Sequence, residues 1–157
     1  VNGSVFVSAT NLPYIRNFNL AKLFPSVKIK LDHDARCFAR AECGKKRCLA
    51  ITLGTGVGRA FAKNGRVLKI KKFEYPERWE KDYQKIRGSK NNRALANFLA
   101  KNLIGRFKEY NPAIIIVGGG VSERKGLLAE LRKASRLPVK KSKLGKNAVA
   151  IGAAMQF

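Results

Sequence analysis

Asp32, His33 and Asp34 stand side by side in "LDHDARCFARAE" (residues 31–42), in a chain of 157 residues with 10 acidic side chains and 1 histidine. A carboxylate at such a place can take the proton of an attacking hydroxyl. An aspartate at a strand end can equally cap the helix that follows. The local sequence leaves both readings open for Asp34, and reads Asp32 as a polar residue closing a strand. Two glycine clusters add to this. In "ITLGTGVG" an apolar run enters a turn holding Gly54, Thr55, Gly56 and Gly58, where the lack of β-carbons lets backbone N–H groups approach an anion and Thr55 offers a hydroxyl. The competing reading is a tight strand connection. In "NPAIIIVGGG" Gly118, Gly119 and Gly120 follow an apolar run, a pattern that more generally marks a strand-to-helix turn.

The elements that must position these residues follow from periodicity. "VKIKLD" alternates, with Val27, Ile29 and Leu31 on one face, and predicts a strand. "ARCFARAE" predicts a helix with Cys37, Phe38 and Ala41 inward. Asn64-Gly65 between two apolar runs predicts a hairpin. "KIKKFEYPERWEKDYQKIRGSK" reads as polar and irregular and holds an acidic island of Glu74, Glu77, Glu80 and Asp82. "NRALANFLAKNLIGRFKEY" predicts a helix with Leu95, Leu99, Leu103 and Phe107 in its core stripe. "IIIV" (114–117), broken from that helix at Pro112, predicts a strand buried on both faces. Ser122 is the expected N-cap of a helix carrying Leu127, Leu128 and Leu131. After Pro138 comes a short strand, then a small-residue helix in "NAVAIGAAMQF". From Cys48 onward the order of strands and helices is that of an α/β unit.

Charge is the compositional outlier. Lysine and arginine number 33, the net charge is +23, and the hydrophobic fraction is 45%. Such a chain folds, and its surface suits phosphates, whether of nucleotides or of a nucleic-acid backbone. The plain alternative is a solvated basic surface. The clusters are Lys45, Lys46 and Arg47; Lys69, Lys71 and Lys72; and Arg132, Lys133, Arg136, Lys140, Lys141 and Lys143. Tyr14, Phe24, Tyr75 and Trp79 are candidates for base stacking, against the commoner role of aromatics in core or interface. Cys37, Cys43 and Cys48 lack metal-ligand spacing and read as reduced thiols, which with no visible signal peptide points to the cytoplasm. No run of about 18 apolar residues exists, so no membrane partner is expected.

"LDHDARCFARAE", "ITLGTGVG", "NPAIIIVGGGVS" and "AVAIGAA", in that order, together resemble the ROK family (repressor, open reading frame, kinase), which includes bacterial glucokinases and fructokinases. The resemblance implies a ribonuclease-H-like, actin-type ATPase fold. It further implies that residues 1–47 are a remnant of a first lobe and residues 48–157 the second, nucleotide-binding lobe. By the same resemblance Asp34 is the general base for ATP-dependent phosphorylation of a hexose hydroxyl. Gly54, Thr55, Gly56 and Gly58 bind phosphate, and Gly118, Gly119 and Gly120 flank adenosine. His33, where the family usually has asparagine, and Glu80 contact the sugar. Arg59, where the family commonly has another glycine, either meets phosphate or points to solvent.

The family's first phosphate loop, its glutamate-x-glycine-histidine motif and its cysteine-rich zinc motif are missing from this sequence. ATP with Mg2+ is the expected cofactor, and no metal ligand set is assigned. Expected partners are a nucleotide and a hexose, then a chain carrying the first lobe or a second copy of this one. The alternative is a basic module, without catalysis, that binds RNA, DNA or another protein.

Overall fold

Leu49, Ile51 and Leu53 alternate with Cys48, Ala50 and Thr52, and that alternation decides which helices lie on which face of the main sheet. The computed structural model describes residues 3–8, 14–74 and 76–157. The chain divides into two compact units, Val1–His33 with Gln156–Phe157 and Asp34–Met155.

In the first unit β1 (Val5–Ser8) pairs antiparallel with β2 (Arg16–Asn19), Phe6 opposite Phe18. A 3-10 turn (Leu20–Lys22) follows, N-capped by Asn19, whose Oδ1 accepts from the Ala21 N–H at 3.0 Å and the Ser4 hydroxyl at 2.9 Å. The strand expected over Val27–Leu31 is not formed: residues 28–33 are irregular and Val27 is 59% exposed. Alternation marks a strand only where a neighbouring backbone can pair with it; among the described residues this segment makes one local turn bond, Val27 N–H to the Phe24 carbonyl at 3.1 Å, and one to a distant backbone, Leu31 N–H to the Gly3 carbonyl at 3.0 Å. The dipeptide Asn2-Gly3, which as a sequence is a turn signal, falls partly outside the described residues.

The second unit begins with α1 (Asp34–Glu42). Then β3 (Cys48–Leu53), β4 (Val57–Lys63) and β5 (Arg66–Leu68) run as an antiparallel meander. Asn64 (φ 54°) and Gly65 (φ 76°) make the predicted two-residue hairpin, both in the left-handed region that such a turn needs. Next come α2 (Lys71–Glu74), α3 (Glu80–Gly88) and α4 (Asn92–Asn102). β6 (Ile114–Gly118), α5 (Leu127–Ser135), β7 (Val139–Lys141) and α6 (Ala148–Ala154) complete the order. β6 joins β3 in parallel on the side away from β4, giving the sheet order β5-β4-β3-β6-β7.

The large side chains of the sheet, Leu49, Ile51, Leu53, Phe61, Ile115 and Val117, form one core with α3, α4 and α5 through Tyr83, Leu95, Leu99, Leu127 and Leu131. The opposite face is built of small residues, Ala50, Ala60 and Ala62, with Ile114 and Ile116, and receives Ala35, Phe38 and Ala39 of α1 and Ala148 of α6. Small residues let α1 and α6 approach each other closely: a β-carbon at Gly152 would lie 1.7 Å from the Cys37 carbonyl oxygen.

Four local expectations change. The segment read as irregular contains α2 and α3. The long helix stops at Asn102 and tightens into a 3-10 stretch (Ile104–Tyr110) closed by Asn111 at φ 46°. Ser122 does not cap α5; it sits in a 3-10 turn (Gly120–Glu123), its hydroxyl donates to the Gly119 carbonyl at 2.6 Å, and Gly126 precedes the helix. Cys43 and Cys48 are joined in a disulfide, their Cα atoms 5.6 Å apart, rather than being reduced, because the short α1–β3 turn brings both into one buried cluster. Among the described residues no helix is long and apolar enough to cross a membrane.

Candidate functional site

β3 and β6 are adjacent and parallel, but the chain leaves β3 towards β4 on one side and leaves β6 towards β7 on the other. Where connections diverge in this way, a crevice opens beyond the carboxyl ends of the strands. Both glycine turns lie there. The turn after β3 is Gly54-Thr55-Gly56, closed by the Gly54 N–H donating to the Gly56 carbonyl at 3.0 Å. The turn after β6 holds Gly119 and Gly120, and Gly119 touches the end of β3: a β-carbon on it would lie 2.4 Å from the Leu53 carbonyl oxygen.

What surrounds each glycine separates packing from ligand space. At Gly58 a β-carbon would meet Thr52 Oγ1 at 2.2 Å, and at Gly118 the Phe38 ring at 2.6 Å. Gly119 adds a φ of 86°. Sterics of the fold explain these three. At Gly54 and Gly120 a β-carbon would meet nothing within 4 Å, and at Gly56 only Glu80 Oε2 at 3.8 Å. Packing does not demand glycine at these positions, which face open space at the crevice.

Asp34 reaches the same edge because α1 lies across the strand ends. Ala35 packs where Gly58 opens β4, and Phe38 packs on Gly118 at the end of β6. Small residues at Ala35 and Ala39 and the bulk of Phe38 set that docking. Asp34, the first residue of the helix, is exposed, and its Oδ1 accepts from the Ala35 N–H at 2.7 Å. It thus satisfies one amide of the helix's first turn from inside the helix, and as an exposed residue it remains open to solvent. In the first unit the His33 N–H donates to Asp32 Oδ1 at 2.9 Å, and both residues are half-buried.

Helix α3 carries the groups that hold the turn after β3. The Tyr83 hydroxyl donates to the Gly54 carbonyl at 3.0 Å, Arg87 Nη1 donates to the same oxygen at 2.9 Å, and Gln84 Nε2 donates to the Thr55 carbonyl. Burial pushes the Tyr83 phenol up to about 12, against the lowering influence of Arg87 and Arg124. It therefore stays a protonated donor at neutral pH. Arg124, just past the 3-10 turn that follows Gly119, donates through Nη2 to the Arg87 carbonyl at 2.8 Å, so α3 is tied to both glycine turns.

Arg59 does neither of the things expected of it. Its side chain is 1% exposed and lies on the core face of β4, in register with Val57 and Phe61. Nη1 pairs with Glu80 Oε1 at 2.7 Å, Nη2 with Glu77 Oε1 at 3.3 Å, and the guanidinium lies 5.1 Å from the centre of the Trp79 ring. Glu80 Oε1 also accepts from the Glu77 N–H at 3.1 Å. The expected sugar contact is thus held by one oxygen while the other faces Gly56. Trp79 also packs edge-on against Phe98, so it is committed to packing rather than to base stacking. Tyr14 and Phe24 are 78% and 52% exposed, and Tyr75 lies outside the described residues.

Tyr83, Gln84, Arg87 and Arg124 escaped the sequence reading. A signal was there: Trp79, Tyr83 and Ile86 recur at helical spacing, with Glu80 and Asp82 in the first turn and Lys85 and Arg87 in the last, as the helix dipole favours.

No protein-family model matches the chain, and no curated protein matches it in sequence. Solved structures do. The chain superposes on an inorganic polyphosphate/ATP-glucomannokinase from Arthrobacter sp. strain KM with a TM-score of 0.81 and 25% identity, covering 99% of this chain and 68% of that one. A ROK-family glucokinase from Streptomyces griseus, in complex with glucose and AMPPNP, gives 0.77 and 18%, covering 99% and 77%. A ROK-family transcriptional regulator, homologous to the E. coli MLC protein, gives 0.73 and 13%, covering 98% and 58%. The resemblance read from the sequence is borne out: the chain has the α/β, ribonuclease-H-like, actin-type fold of ROK proteins. That fold serves sugar kinases and a regulator alike, so function has to be argued from the site.

Proposed function

We propose that this chain carries the phosphoryl-transfer half of a ROK-type sugar kinase, moving the γ-phosphoryl group of ATP to a hexose hydroxyl. The observation that carries the reading is the crevice edge itself. Three glycines with no packing reason to be glycine, Gly54, Gly56 and Gly120, lie on the sheet edge that the start of α1, with an exposed Asp34, also reaches. Backbone N–H groups of the Gly54–Gly58 turn receive the phosphates, with the Thr55 hydroxyl beside them, and Gly118–Gly120 lie against adenosine. The hydroxyl oxygen attacks the γ-phosphorus, its proton passes to the Asp34 carboxylate, and ADP leaves with the electrons of the broken P–O bond. His33 and the outward oxygen of Glu80 are the sugar's hydrogen-bond partners. Residues 1–47 then belong with the sugar-binding side and 48–157 with the nucleotide side; the supply of ATP, and no longer the thiol state now that Cys43 and Cys48 are bonded, supports the cytoplasm as the place of work.

Among the described residues no group of three or more His, Cys, Asp or Glu side chains gathers to hold a metal. Mg2+ keeps several of its waters and is commonly held by substrate phosphates, so it would come with the nucleotide, and no carboxylate of this chain is assigned to it. When bound, it offsets the negative charge growing on the phosphate oxygens.

The net charge of +23 favours a second reading, a surface that binds nucleic-acid backbone. Lys45, Lys46, Arg47, Arg132, Lys133, Arg136, Lys140, Lys141 and Lys143 are all exposed.

ATP with Mg2+ raises the melting temperature on the kinase reading, and one of a panel of hexoses provokes ADP release; a flat response to every nucleotide and sugar contradicts it. On the second reading a single-stranded RNA binds, with affinity falling steeply between 50 and 200 mM salt. Failure to bind at low salt removes it.

A further inference from the structure

In a trans peptide the carbonyl and the following N–H point in opposite directions. Whatever grips the carbonyls of a turn therefore aims its amides. In Gly54-Thr55-Gly56 the Gly54 carbonyl is held by Tyr83 and Arg87 and the Thr55 carbonyl by Gln84, all three on one face of α3. The amides that follow those carbonyls, of Thr55 and Gly56, are driven to the side away from the helix. Gly54 spends its own N–H on the Gly56 carbonyl, and among the described residues the Thr55 and Gly56 amides make no hydrogen bond.

Helix α3 is itself fixed at both ends. At its start Glu80 is locked to the buried Arg59, and at its end Arg124 holds the Arg87 carbonyl. One further atom of that lock, Arg124 Nη1, is buried with no hydrogen-bond partner among the described residues.

We propose that Tyr83, Gln84 and Arg87 are positioning residues that orient the Thr55 and Gly56 amides of the β3–β4 turn towards the phosphate tail of a nucleoside triphosphate. The inference rests on the phosphate reading of that turn and deepens it, since it assigns amide orientation to three side chains that themselves touch neither phosphate nor sugar. Free in solution, a three-residue glycine turn samples many conformations and binds an anion poorly. Held by three side-chain donors, it presents a fixed pair of N–H groups. Because Arg87 also brings positive charge, its removal mixes orientation with electrostatics. Tyr83 and Gln84 are neutral and separate the two.

The test is the double variant Tyr83→Phe/Gln84→Met, which keeps ring, bulk and net charge while removing both neutral donors. Calorimetry measures ATP·Mg2+ and adenosine binding, and amide NMR of the nucleotide-free protein follows Thr55 and Gly56. We expect ATP affinity to fall by about tenfold or more, adenosine affinity to hold, and the Thr55 and Gly56 resonances to shift and exchange faster. Restoring Gln84 alone should recover part of the ATP affinity. If the double variant binds ATP as tightly as the wild type, the positioning role is overturned while the phosphate reading stands. If the two amides move in the variant but the wild type ignores ATP, the phosphate reading fails and the proposal fails with it.

Discussion

Gly54 and Gly118 look alike in the sequence and do different work in the fold. A β-carbon on Gly118 would press into the Phe38 ring at 2.6 Å, whereas one on Gly54 would enter open space. Gly118→Ala should therefore destabilise by about 1–3 kcal/mol, the usual cost of overpacking, and leave nucleotide contacts to whatever fraction folds. Gly54→Ala should melt close to the wild type and lose ATP affinity. Urea denaturation with an ATP titration on both variants checks the pair; a Gly54→Ala protein that binds ATP normally would show that the open space is not ligand space. The glycines were legible as two clusters, but which of them the fold itself requires was not. That depends on Thr52, Phe38 and the Leu53 backbone, which approach only after the sheet has formed.

At the scale of elements, Arg59 decides the stability of the region beneath the turn. A guanidinium on the core face of a strand survives because Glu77, Glu80 and Trp79 surround it. Arg59→Met leaves Glu80 without its cation and Glu77 with Arg106 alone, both carboxylates mostly shielded from water (16% and 22% exposed). We expect a loss of about 3 kcal/mol in chemical denaturation, partly recovered when Glu77→Gln and Glu80→Gln are added; an unchanged midpoint would mean that the pair contributes nothing net. Sequence patterns announced the elements they encode locally: the Asn64-Gly65 hairpin, the Leu95–Leu99 stripe of α4 and the apolar run of β6. Patterns that need a partner misled. Val27–Leu31 alternates but pairs with no strand among the described residues. α3 was hidden by its charged residues, because the apolar stripe of Trp79, Tyr83 and Ile86 is thin until Phe98 and the β3 turn complete its packing. The Cys43–Cys48 bond likewise depends on the turn that brings its two ends together.

For the whole molecule, the diverging connections of the parallel neighbours β3 and β6 and the docking of α1 bring Asp34 and both glycine turns to one sheet edge. The solved structures that share this fold include sugar kinases and a regulator, and the chain spans 68% and 77% of the two kinases compared. The distinction between an active phosphoryl-transfer site and a retained framework lies in one proton-accepting group. The most direct measurement compares the wild type and Asp34→Asn for ATP binding and hexose-dependent ADP release. A general base contributes about 100-fold or more to such a step. The account predicts that Asp34→Asn binds ATP as the wild type does while ADP release falls by at least that factor. Equal ADP release from both proteins would contradict it.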